Sequence, residues 1–221
     1  MMMADPESDG ERATRRAPAP WQLRADGYLL LLRPTHLSAA YRAEAQVGSW
    51  AYAIFADYAS SPVGPYRELL FIPGAVKLGR QLLPTITKIY VSTQASVDNG
   101  RANWGLPKEL AAFTVEHRSR RLDHLTMRVD SKIAVDLTLE SVGPRLPLAS
   151  WMLPASVRTL GQQLDGTTFV VVPSASGRMQ WARVKHAWSD VTLFPELAPA
   201  SIVAVIKLSK VVLTFPEATL G

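Results

Sequence analysis

The residues best suited to covalent chemistry lie in the segment Ile89 to Phe113, IYVSTQASVDNGRANWGLPKELAAF, and the lysine at its centre, Lys108, is the one with unusual surroundings. A lysine attacks a carbonyl only as the neutral amine. Burial among apolar groups disfavours the ammonium form and lowers a lysine pKa by up to about 3 to 5. Trp104, Leu106 and Leu110 supply apolar surface around Lys108, Pro107 fixes its own φ, and Gly105 permits a tight bend. The chemistry open to such an amine is Schiff-base formation. Read without further context, the same residues also fit a surface lysine that snorkels along its apolar neighbours.

The elements that position Lys108 leave two local options. Asn99-Gly100 between apolar runs fits a two-residue hairpin turn. The stretch through Ala95, Ala102 and Trp104 equally fits a short helix, started by Ser92 or Thr93 and stopped at Gly105 before Pro107. A strand is then expected to begin near Leu110. From Ala111 onward, AAFTVEH, HLTMRVD and KIAVDLTLESV alternate apolar and polar residues, with turns at Ser119–Asp123 and Ser131-Lys132, as half-buried antiparallel strands do. TTFVVV (Thr167–Val172), Met179–Trp188, Ser201–Leu208 and KVVLTF (Lys210–Phe215) continue the pattern. Earlier in the chain, a short helix is expected around Leu37–Gln46, followed by strands at Trp50–Phe55, ELLFIPG and ITKIYVS. Leu146–Leu164 breaks the alternation and is expected to be an irregular connection or a lid, with a short helix after Pro154. The fold class is therefore mainly β, an antiparallel β-barrel with flanking strands and a few short helices.

Composition narrows the function. The 221 residues are 48% hydrophobic, enough for one substantial core. Residues 1–19, polar and rich in Pro and Ala, are expected to form a disordered leader ahead of a single domain at 20–221. The absence of cysteine excludes disulfides and thiolate chemistry and fits a reducing, cytoplasmic setting. Four histidines without ligand spacing predict no metal site. No Gly-rich phosphate loop follows a strand, so no nucleotide cofactor is expected. The net charge of +5 is dispersed, and its densest run, Arg118–Arg121, reads as a solvated turn, so neither nucleic acid nor a membrane is expected as partner.

The run GRANWGLPKELA resembles the Gly-Arg…Gly-(aromatic or Leu)-Pro-Lys-x-Leu signature of the acetoacetate decarboxylase-like superfamily, whose Schiff-base lysine falls on Lys108. The likeness extends back to Tyr90. Upstream, PVGPYRELLFIPG is similar to the family's strand bearing an active-site glutamate, here Glu68. Downstream, SGRMQWARVKHAWSDVTLF and IVAVIKLSKVVLTFPEATL resemble its closing strands, so residues 20–219 are covered.

The resemblance implies a homo-oligomeric lyase without a cofactor that forms an imine with a small or medium keto acid, followed by decarboxylation or by aldol and dehydration chemistry. Desolvation of the amine inside the barrel is the family's known means of activation, not a deduction from this sequence. Lys108 and Glu68 are the implied catalytic residues, with Arg24, Arg101 and Tyr90 as substrate-binding positions; Arg101 also fits a brace for the helix. Two positions depart from the pattern. Glu109 stands where the decarboxylases carry a second lysine, and Ala53 where they carry another glutamate. Both departures favour a retuned reaction over acetoacetate decarboxylation itself. A catalytically lapsed binding protein for a small apolar carboxylic acid is the alternative on the same scaffold.

Overall fold

The computed structural model describes residues 16–33, 50–78, 81–152 and 158–221. Most of the expected leader, the expected helix at 37–46 and the start of the one expected after Pro154 lie outside these residues. The alternating stretches form β1 (Trp21–Leu32), β2 (Ala51–Ser60), β3 (Tyr66–Ile72), β4 (Ala75–Leu78), β5 (Gln81–Pro84) and β6 (Lys88–Val91). Helix α1 (Gln94–Trp104) follows, then β7 (Lys108–Leu110), β8 (Ala112–His117), β9 (Leu122–Val129), β10 (Lys132–Ala149), β11 (Leu160–Leu164), β12 (Thr167–Val171), β13 (Ser174–Ser189), β14 (Ile202–Phe215) and β15 (Thr219–Leu220).

Ten strands make one sheet in the order β7-β6-β3-β2-β1-β14-β13-β10-β9-β8, antiparallel except for the β6–β7 pair. Its two edge strands are joined through Ala111, and Arg67 on β3 donates to the Phe113 carbonyl on β8, so the sheet curls into a nearly closed barrel. A three-stranded sheet, β11-β12-β15, and the hairpin β4-β5 flank it. The fold class expected from the alternation is thus the fold observed. Among the described residues, no helix is long and apolar enough to cross a membrane.

The period of two sends neighbouring side chains into separate cores. On β1, Tyr28, Leu30 and Leu32 enter one core, whereas Trp21 and Leu23 enter another. On β3, Leu69 and Phe71 belong to the first, Leu70 and Ile72 to the second. The first core lies within the curl, because Tyr28 on β1 donates to Asp123 on β9, a strand four places away in the sheet. The second core is covered by α1 and β12, with Trp104 packed edge-on against both Trp21 and Phe215 at 5.0 Å between centroids.

Three local expectations change. β10 runs on through Pro144 and Pro147 to Ala149 instead of breaking at Leu146. Pairing with β9 stops at Glu140, so the prolines sit where one side of the strand needs no donor. The two runs 201–208 and 210–215 form one strand, β14, kinked at Lys210 (φ 51°), whose backbone N–H donates to the Asp26 carboxylate. Ala17, assigned to the leader, is buried: its N–H donates to Asn99 Oδ1, and its carbonyl accepts from Asn103 and Trp21.

Candidate active site

The segment around Lys108 adopts the helix, not the hairpin. Thr93 caps α1, accepting from the Ser96 N–H, and Gly105 ends it in the left-handed conformation at φ 63°, its own N–H donating to the Arg101 and Gly100 carbonyls. Leu106 then turns into the cavity wall, and Pro107 leads directly into β7, whose first residue is Lys108.

The glycine at 100 has a separate role. A Cβ built there would lie 2.6 Å from Lys108 Cδ and 2.7 Å from Cε, so the bare helix surface is what lets the lysine stem pass. Arg101 fixes the other end of the residue, donating from Nε and Nη2 to the Lys108 carbonyl at 3.0 and 2.6 Å.

So held, the lysine is 2% exposed and Glu68 5%. Lys108 Nζ donates to Glu68 Oε2 at 2.8 Å and to Ser96 Oγ at 3.0 Å, and lies 5.2 Å from the centroid of the Tyr66 ring. Tyr58 donates to the other carboxylate oxygen, Oε1, at 3.3 Å. Burial, then the nearby Glu68 carboxylate, pushes the Tyr58 and Tyr66 phenols well above their ordinary value; Ser96 opposes this at Tyr66 without reversing it. Both phenols therefore stay neutral through the neutral range.

These groups stand at a cavity of about 250 Å³ whose wall is otherwise largely apolar, including Trp21, Leu23, Ile54, Leu70, Ile72 and Trp104. The arrangement offers what a carbonyl condensation needs: an amine out of water, a carboxylate in contact to move its proton, and room for a small molecule.

Such a site sits on a recognisable scaffold. No protein-family model and no curated protein matches the chain. Among solved structures, it is similar to acetoacetate decarboxylase from Legionella pneumophila, with 14% identity over 100% of this chain and 98% of that one and a TM-score of 0.65. The chain has the acetoacetate decarboxylase fold. The enduracididine biosynthesis enzyme MppR, solved with pyruvate, matches at 12% identity over 96% of this chain and 94% of its own, with a TM-score of 0.63. An acetoacetate decarboxylase-like enzyme from Sphingomonas wittichii matches at 15% identity, 93% and 94% coverage and a TM-score of 0.62.

Against the residues expected from the sequence, the structure brings Lys108 and Glu68 together and leaves three others elsewhere. Arg24 lies at a different cavity of about 480 Å³, together with Tyr28, His117, Asp123 and Lys207. The alternation of β1 turns it away from the face that carries Trp21 and Leu23. Arg101 is a brace on the Lys108 backbone, exposed and outside the cavity wall. Tyr90 enters the barrel core and donates to the Leu193 carbonyl at 3.2 Å. Leu110, expected to shield the amine, is 52% exposed. The amine itself is dry but lies on the face of the sheet opposite the barrel interior, because it pairs alongside Ile89 of the second core.

The two departures from the family signature also find their places. Glu109 points away, 2.6 Å from Lys88 Nζ. Ala53 packs in the barrel core, and the β2 residue paired with Glu68 is Ala56, which does line the cavity.

Sequence reasoning missed Ser96, Tyr58 and Tyr66. Once α1 is accepted, Ser96 sits four residues before Gly100 and shares its face, which is a legible signal. The tyrosines flank the β2–β3 turn as a directly paired couple and become visible only with the register.

Proposed function

We propose that this protein is an enzyme, a Schiff-base-forming lyase in which Lys108 condenses with the carbonyl of a small or medium keto acid. The observation that carries the reading is the buried contact of 2.8 Å between Lys108 Nζ and Glu68 Oε2 at an apolar cavity. Likeness of fold to acetoacetate decarboxylase and to a pyruvate-bound enzyme supports it.

Glu68 accepts a proton from the amine, which then adds to the carbonyl carbon. A second proton passes from the nitrogen to the former carbonyl oxygen to give the carbinolamine, and the proton held by Glu68 is then returned to that oxygen as water leaves and the iminium forms. In the decarboxylation branch, open to a β-keto acid, the bond from the α-carbon to the carboxylate breaks, its electron pair neutralises the adjacent iminium as an enamine, and carbon dioxide departs. That step collapses two opposite charges into neutral products, which apolar surroundings favour. It accounts for a site where, among the described residues, no arginine lines the wall to hold the substrate carboxylate. Tyr58, kept neutral, donates to Glu68 and fixes the carboxylate while the proton moves.

Borohydride reduction in the presence of pyruvate or acetoacetate, followed by peptide mass spectrometry, is expected to label Lys108 and to label nothing in Lys108→Ala. Absence of an adduct on Lys108 across a panel of keto acids overturns the reading. The proposal includes a homo-oligomer, supported by an apolar outer groove of Leu29, Leu31, Trp50 and Trp181 in which the two tryptophans are 44% and 55% exposed.

A further inference from the structure

The cavity is longer than its reactive end requires. Glu68, Leu70 and Ile72 alternate on one face of β3 and all three line it. The wall therefore runs for roughly 13 Å at about 3.3 Å per residue. The groups that can bond to a polar substrate gather at one end: Lys108, Glu68, Tyr58 and Tyr66, with Asp26 beside Gly27, which pairs with Ala56 next to Glu68 and whose neighbouring Asp26 carboxylate already accepts from the Lys210 N–H.

The indole N–H groups of Trp21 and Trp104 are already given to the Ala17 and Pro216 carbonyls, so they present only ring carbon. At the far end stand Ile72 and Ile86, held together by the bond from the Thr87 N–H to the Phe71 carbonyl. Leu160 is brought to the same end, because Thr85 donates to the Gly161 carbonyl next to it.

We infer that the site takes keto acids with an unbranched apolar tail, laid along β3 from Glu68 toward Ile72 and Ile86, and disfavours substrates whose far end is hydroxylated or charged. The length of the wall suits an extended chain of roughly eight to ten carbons. The head-group assignment rests on the Schiff-base reading; the tail assignment rests on the shape and lining of the cavity. A polar or charged group at the Ile72 end would lose its hydration with no partner among the described wall residues to replace it, whereas each methylene gains from leaving water.

Two measurements test the tail, only one of which depends on imine chemistry. Borohydride labelling of Lys108 with pyruvate, 2-oxobutanoate, 2-oxohexanoate and 2-oxooctanoate at equal sub-saturating concentration is expected to rise roughly fourfold per methylene. 2-Oxoglutarate is expected to label less than 2-oxohexanoate. Calorimetric binding of the unreactive acids acetate, butanoate, hexanoate and octanoate is expected to follow the same order.

Ile72→Phe is expected to move the optimum to shorter chains and Ile72→Ala to longer ones. Labelling and binding that are flat with chain length, or a preference for 2-oxoglutarate, overturn the inference while leaving the Schiff base standing. Chain-length-dependent binding without any label on Lys108 overturns the Schiff base and upholds the tail.

Discussion

Two buried carboxylates on opposite faces of one sheet each hold a lysine and a tyrosine. Glu68 accepts from Lys108 and Tyr58; Asp123, inside the barrel, accepts from Lys207 at 2.6 Å and from Tyr28. The residue types match, but the surroundings differ. Asp123 also takes His117 at 2.7 Å, a side chain 73% exposed, so the cluster meets solvent at the mouth of its cavity. It ties β1, β8, β9 and β14 together across the curl, with its lysine, tyrosine and histidine all converging on one carboxylate. At Glu68 the side chains of both partners are almost wholly buried, at 3% and 7% exposure, and the amine faces an apolar cavity. In the function proposed, the Glu68 pair is a reaction centre and the Asp123 pair a brace, and the difference between them is what lies beyond the nitrogen.

The sharpest way to break this comparison is to change each carboxylate in turn. Glu68→Gln keeps the shape but removes the proton acceptor, and is expected to slow imine formation with pyruvate by roughly 10²- to 10⁴-fold at neutral pH, read by the rate of borohydride labelling. A loss of less than tenfold would remove Glu68 from proton transfer.

Next in size is Gly100→Ala. The added methyl meets the Lys108 stem, so the amine must shift, and misplacement on the order of 1 Å costs about 10²-fold. Labelling is expected to fall by that amount while the unfolding midpoint moves little. Unchanged labelling would show that the lysine has freedom the packing denies.

The smallest effect on activity belongs to Asp123→Asn, which is expected to leave labelling of Lys108 unchanged and to lower stability by about 1.5–3 kcal/mol, measured by denaturant unfolding. Its pH dependence follows from the carboxyl's position below the ordinary 3.8. Burial alone would raise it, but hydrogen bonds from Lys207, Tyr28 and His117 together outweigh burial. A carboxyl with a lowered folded pKa stabilises above its unfolded value and ceases to do so as pH falls through the folded one. The stability gap between wild type and Asp123→Asn is therefore expected to be full at neutral pH and to close in strong acid. A gap independent of pH would mean that the bonds, not the charge, carry the effect.

How far the site was legible varies with the distance over which the signal acts. Thr93, Gly105 and Pro107 mark the ends of α1 and the approach to Lys108 within a few residues of one another, and the structure follows them. Arg24 and Tyr90 were misplaced for the opposite reason. Each lies one residue from a position facing Lys108's side of the sheet, and a shift of one reverses the face. The single strand β14 was hidden because the consecutive polar residues Ser209 and Lys210 interrupt the alternation, although pairing with β13 continues on both sides of them.

By itself the sequence determined the alternation that makes strands and the caps that bound the helix before Lys108. Those are contacts among near neighbours, and local chemistry is enough to specify them. Tertiary structure alone decided which face of the sheet the amine occupies and which carboxylate meets it. Lys108 and Glu68 are 40 residues apart, and Tyr28 and Asp123 are 95 apart. Pairs at such separations are set by strand register and sheet order, and these follow from the packing of both cores at once.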